Sequence, residues 1–146
     1  MSKKTLKLNF QGDLDFFVAG IVSGNKDYRL CFELNLALGL NFVRNEDVTQ
    51  STGRPGSSTR HSYFTFTGND NEIYHVISNR DKGNTGFYIP EMKNVDYFLL
   101  ISGASKSFAT AKLTNTIRKL EIVSGVYEIK HRELKSVDGF LVLIEQ

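Results

Sequence analysis

Glu91, Asp96 and Tyr97 bring two carboxylates and a phenol into one short stretch, just past Tyr88 and Pro90. Held together, such groups could share a proton or grip a ligand, which is acid–base or binding chemistry. A guanidinium would complete the cluster, because arginine forks onto carboxylates with two parallel hydrogen bonds. Arg29 is the candidate for that role. Glu91, Asp96, Tyr97, Arg29 and Tyr88 therefore form the candidate binding site. A plainer reading stands beside it. Asp96 would accept backbone N–H groups and pin a turn, Glu91 would face solvent, and Arg29 would pair with Glu33 one helical turn on. No catalytic triad, zinc-ligand spacing, phosphate loop or dinucleotide fingerprint accompanies these residues, so no catalytic residue, metal or cofactor is expected.

The elements that must position them start at Pro90, which lacks an N–H and cannot sit in a central ladder. Val95–Ser102 then reads as a strand with two mainly apolar faces, the pattern of a strand covered on both sides. Phe16–Val22 is a second apolar strand, and Thr5–Phe10 alternates like a half-buried one. The polar bend Ser23–Asp27 opens a helix over Tyr28–Leu38, whose scarcity of polar positions predicts burial nearly all round. The serine-, threonine- and glycine-rich stretch at about 45–60 reads as a mobile loop. His61–Thr67 and Glu72–Ser78 form a hairpin about Gly68–Asn71. Pairing Thr67 with Glu72 sets Phe64 opposite His75 and sends His61 and His75 to opposite faces, against a two-histidine metal site. A second helix, about Phe108–Leu120, is capped by Ser105 or Ser107 and buries Ala109, Leu113, Ile117 and Leu120. A strand follows within Ile122–Ile129, and Gly139–Glu145 reads as a final strand. The fold class is α+β: one domain over 1–146, a mainly antiparallel or mixed sheet, and two principal helices on one face. Asp15-Phe16-Phe17-Val18 before Ser23-Gly24 parallels Asp96-Tyr97-Phe98-Leu99 before Ser102-Gly103. That parallel suggests two β-α-β-β halves.

Ile89-Pro90-Glu91, three variable residues, then Val95-Asp96-Tyr97 resembles the signature of the IPExxxVDY family of uncharacterised bacterial proteins. Lys26-Asp27-Tyr28-Arg29-Leu30, Leu34-Asn35, Leu38-Gly39-Leu40 and Ile77-Ser78-Asn79 are similar to the same family. The resemblance covers most of the chain apart from roughly 45–60, and it implies no activity.

The chain has 146 residues, 40% hydrophobic and 23% charged, which suits one globular domain with a substantial core. Its single cysteine, Cys31, excludes an intrachain disulfide and fits a reducing compartment. No apolar run reaches the ~20 residues of a membrane-spanning helix, and the N-terminus lacks a signal-peptide core. A cytoplasmic protein without membrane association is expected. The formal charge of +2 is too small to argue for nucleic acid. The local excess of basic residues over 105–135 lacks the aromatic platform of RNA-binding sheets. The leading expectation is a non-enzymatic binding or protein-interaction domain, with Phe87, Tyr88, Tyr97 and open strand edges offering a surface for a partner or a second copy. The alternative is a ligand binder or enzyme working through the carboxylate, tyrosine and arginine cluster. Nucleic-acid binding ranks third.

Overall fold

The apolar run that follows Pro90 becomes a central strand of an antiparallel sheet. A computed structural model describes residues 16–103, 109–130 and 134–145. In chain order the elements are β1 (Phe16–Val22), α1 (Asp27–Leu38), β2 (Val43–Arg44), β3 (Val48–Ser51), β4 (Ser58–His61), β5 (Tyr63–Thr67), β6 (Ile73–Ser78), a 3₁₀ turn (Pro90–Met92), β7 (Tyr97–Ser102), α2 (Thr110–Arg118), β8 (Gly125–Glu128) and α3 (Val137–Ile144). The main sheet has the order β2-β5-β6-β7-β1-β8, and β3-β4 form a separate two-stranded sheet. This is an α+β, single-domain fold. The expected strand Thr5–Phe10, the caps Ser105 and Ser107, and His131 lie outside the described residues.

Alternation along the strands assigns each side chain to one of two cores. Ala19, Ile21, Val76, Leu99 and Ile101 face one way and meet Leu30, Cys31 and Leu34 of α1 and Leu113 and Ile117 of α2. Phe16, Val18, Ile77, Phe98 and Leu100 face the other way and meet Phe140, Leu141 and Leu143 of α3. From Tyr97 to Ile101, β7 is buried at every position, as its doubly apolar pattern predicts. Each such side chain contributes about 1.5–3 kcal/mol of burial. Gly20 lets β1 lie close to the turn before β7, since a Cβ there would stand 2.9 Å from the Val95 methyl Cγ2.

Several expectations are corrected. Helices cover both sheet faces, not one. The extra helix is α3, formed by the run expected as the strand Gly139–Glu145. A short apolar run has no period of its own strong enough to separate helix from strand. Here Gly139, Phe140 and Leu143 fall on one helical face, toward the second core. The β5–β6 register is Thr67 with Ile73 and Thr65 with His75, one residue from the expected pairing. Glu72 belongs to the turn, where its carbonyl accepts the Gly68 N–H and Asn71 adopts a left-handed φ of 65°. His75 lies beside Leu100 on the α3 side of the main sheet, and His61, on the separate β3–β4 hairpin, meets Tyr88 of the same core, so the two do not point to opposite sides. The stretch at 45–60 contains the β3–β4 hairpin. Among the described residues the second half runs β7-α2-β8-α3, without the second strand of a β-α-β-β unit. α1 buries Leu30, Cys31 and Leu34 but leaves Tyr28, Phe32 and Leu36 exposed, so it is not enclosed all round.

Candidate functional site

The segment Ile89–Tyr97 folds around a buried amide. Asn79, at the end of β6, is completely buried. Its Nδ2 donates to the carbonyls of Met92 (2.9 Å) and Val95 (2.8 Å), and its Oδ1 accepts the Ile89 N–H at 2.8 Å. Its main chain binds the same segment, donating to the Asp96 carbonyl and accepting from the Tyr88 N–H. Pro90 opens the 3₁₀ turn, where a missing N–H costs nothing. Ile89 and Val95 are driven into the second core on either side of this turn.

From that turn the five candidate residues point to separate partners. Asp96 Oδ2 accepts the Ser23 N–H at 2.8 Å, and Oδ1 meets Arg80 Nε at 3.3 Å. It ties β7 to the bend that follows β1. Glu91 holds Ser136, accepting its N–H at 2.9 Å and its hydroxyl at 2.6 Å, and so anchors the start of α3. Burial pushes the Glu91 carboxyl up, but the Ser136 donors outweigh it and leave it below the usual range. Tyr97 donates to the Asn25 carbonyl at 2.6 Å, and Tyr88 to the Gly139 carbonyl at 2.5 Å. Burial raises both phenols, so they stay protonated donors. Arg29 pairs with Glu33 at 3.2 Å on the helix surface. Each group of the proposed cluster has its own structural partner. The carboxylate pair and its arginine are not assembled.

The residues that sequence reasoning missed lie beside the turn. A cleft of about 740 Å³ opens between the β3–β4 hairpin and the segment from Thr85 to Lys93, with Ser136 at one end. Of the five candidates only Tyr88 lines it. Its floor is held by a buried relay. His61 lies between the Ser78 carbonyl, 2.9 Å from Nδ1, and the Thr59 hydroxyl, 2.8 Å from Nε2. Burial lowers the His61 pKa, which favours neutral imidazole with Nδ1–H donating and Nε2 accepting. A hydroxyl on an oriented imidazole is the geometry of an activated nucleophile. Here the Thr59 methyl, not its hydroxyl, approaches Gly86, and Thr59 is itself buried, so the pair fastens β4 to β6. Behind the wall, Asp81 accepts the Thr85 hydroxyl and the N–H groups of Arg60, Gly83 and Thr85, which hold its carboxyl down to about 2. Among the described residues no group of three or more His, Cys, Asp or Glu could hold a metal ion.

The other unusual surface is the outer face of α1. Tyr28, Phe32 and Leu36 recur every fourth residue and are 65%, 54% and 68% exposed. Val43, on the neighbouring β2, is 58% exposed. Cys31 lies on the buried side, where burial pushes its thiol up to about 12, an inert sulfur. No helix among the described residues is long and apolar enough to cross a membrane. No protein-family model matches the chain, and no curated protein or solved structure is similar to it.

Proposed function

We propose that the protein is a non-enzymatic interaction domain that pairs with a second copy of itself through the outer face of α1. The observation that carries this reading is the stripe Tyr28, Phe32 and Leu36. Residues four apart on a helix stand one above another, so the three form a continuous apolar ridge. The ridge is spaced evenly about Phe32. Across a two-fold axis at Phe32, Tyr28 of one copy meets Leu36 of the other and Phe32 meets its counterpart, a self-complementary contact. No charge lies within the stripe; Arg29 flanks it, with its guanidinium on Glu33.

Size sets the strength. A helix of 12 residues is about 18 Å long. A contact one helix wide falls below the roughly 1,200 Å² of standard stable interfaces, so pairing is weak and concentration-dependent. Light scattering across about 1–300 μM should show mass rising from one chain to two, as expected for a micromolar Kd. Phe32→Glu should hold the mass at one chain while leaving the circular dichroism unchanged. A wild type that stays monomeric throughout, or a variant that pairs as well, overturns this reading.

The candidate cluster gives less support to ligand binding or catalysis, because its five members engage separate partners. The single buried thiol supports a reducing, cytoplasmic setting. We read the chain as a member of the IPExxxVDY family, on the six matching letters at 89–91 and 95–97. In this reading the signature's role is to hold the fold. Ile89 and Val95 anchor the turn in the core, while Glu91, Asp96 and Tyr97 fasten α3, β1 and the entry to α1.

A further inference from the structure

We infer that the cleft between the β3–β4 hairpin and the segment Thr85–Lys93 is a binding site for a small, hydroxylated phosphate ester of about sugar-phosphate size. The first ground is charge. The lining residues include two cations, Arg54 and Lys93, and no acid. Among the described residues, Arg29, Arg44, Arg60 and Arg80 each meet a carboxylate. Arg118 meets the Asn115 side chain and the Val126 carbonyl. Of these six arginines, Arg54 alone has no side-chain partner, and Lys93 has none either. Two unengaged cations lining one cleft suit one anion, the adjoining carboxylates of Glu91 and Asp81 being taken up by Ser136 and Thr85. A guanidinium donates to two phosphate oxygens at a time, and an ammonium adds a point charge.

The second ground is that both walls are fixed in advance. Arg54 sits on a loop closed by Thr52 N–H to the Ser57 carbonyl (3.2 Å) and Ser57 N–H to the Arg54 carbonyl (3.0 Å). Gly53 and Gly56 supply the left-handed φ angles, +89° and +73°, that this tight loop needs. Lys93 follows the 3₁₀ turn that Asn79 holds from within. Pre-set walls lower the ordering cost of binding.

The third ground decides what the anion is attached to. The lining is rich in hydroxyl and amide groups, with Gln50, Ser51 and Ser57 on the hairpin side. Both aromatic rings there are already engaged: Arg80 lies over Phe87 at 5.3 Å, and His61 meets Tyr88 edge-on at 5.1 Å. Tyr88 is buried and Arg80 covers one face of Phe87, which leaves a base at most one ring face, whereas a sugar has several hydroxyl partners. The volume of about 740 Å³ lies within the usual range for small-molecule sites.

The test is an amide NMR titration of the whole protein with three probes: glucose 6-phosphate, glucose and inorganic phosphate. Glucose 6-phosphate should give saturable shifts at residues 50–58 and 85–93, with a Kd in the range of about 0.1–1 mM, weakened by added salt. Inorganic phosphate should move the same amides at least tenfold more weakly, and glucose alone should not move them. Arg54→Gln combined with Lys93→Gln should lower the affinity at least tenfold while the sheet amides keep their positions. No saturable shift up to about 10 mM, equal binding of glucose, or unchanged affinity in the double variant would each overturn the inference. Tighter binding of adenosine monophosphate than of glucose 6-phosphate would overturn the choice of a sugar body.

Discussion

The turn from Ile89 to Tyr97 and the outer face of α1 use their side chains in opposite ways. The turn is full of groups that could do chemistry, and all of them hold the fold. Its carboxylates take Ser23 and Ser136, its phenol takes Asn25, and its carbonyls take Asn79. The helix face is made of residues that ordinarily fill a core, and it is bare. A polar group is available only when its partners are absent, and an apolar group is hidden only when something covers it. Residue type alone gives neither.

The sharpest way to break this contrast is Asn79→Ala. It strands the Ile89 N–H and the buried Val95 carbonyl, each orphan costing about 1–3 kcal/mol, while the Met92 carbonyl keeps the Val95 N–H. A loss of about 4 kcal/mol of unfolding free energy, read as a lower denaturant midpoint at constant slope, is expected; a loss below about 1 kcal/mol would show that the turn stands without its buried amide.

A second internal polar group reports through pH. His75 is buried between the Tyr63 hydroxyl, 2.7 Å from Nδ1, and the Ser102 hydroxyl, 3.3 Å from Nε2. Burial lowers its pKa from 6.5 to about 4. The unfolded chain then binds the proton more readily than the folded one. His75's contribution is therefore complete above pH 6.5 and is lost as the pH falls toward 4, by about 3 kcal/mol. His61, lowered in the same sense, adds to the same slope. Denaturation curves at a series of pH values should show this dependence, and His75→Phe should flatten it. An unchanged slope in that variant would place the titration elsewhere.

Smaller effects separate anchors from ornaments. Glu91→Ala frees the start of α3 and should cost about 1 kcal/mol, comparable to losing a helix cap. Hydrogen exchange should speed up first at residues 137–144. Arg29→Ala removes an exposed pair one helical turn apart and should change stability by no more than about 0.5 kcal/mol. A larger loss would reinstate a role for Arg29 beyond Glu33.

Strands with strong apolar patterns were legible in the sequence: β1 and β7 lie where their doubly apolar runs put them, and the β5–β6 hairpin lies about the turn that Gly68–Asn71 marks. The hairpin register was not, because whether Glu72 ends the turn or starts the strand depends on one backbone bond from Gly68 and one left-handed residue, Asn71. The run Val137–Ile144 was not, because its helical form is chosen by the face of the sheet it covers. At the candidate site the residue types were legible and their directions were not. Glu91 finds its partner 45 positions away and Asp96 finds its partner 73 positions away, distances over which local pattern carries no information. Of the cleft, only the turn that forms one wall could be seen in advance. The other wall was a stretch that reads as loop, and its importance rests on what Arg54 does not touch.

The pairing of β1 with β7 has a consequence for how the chain is made. These strands are neighbours at the middle of the sheet, yet they come from opposite parts of the sequence. While the ribosome is still extending the first half, β6 must wait with one flank bare and β1 with both, since β7 joins the two strands and β8 covers the far side of β1. Synthesis that stalled before Tyr97 would release a fragment with unpaired edges on both β1 and β6, the kind of species that chaperones retain and proteases clear.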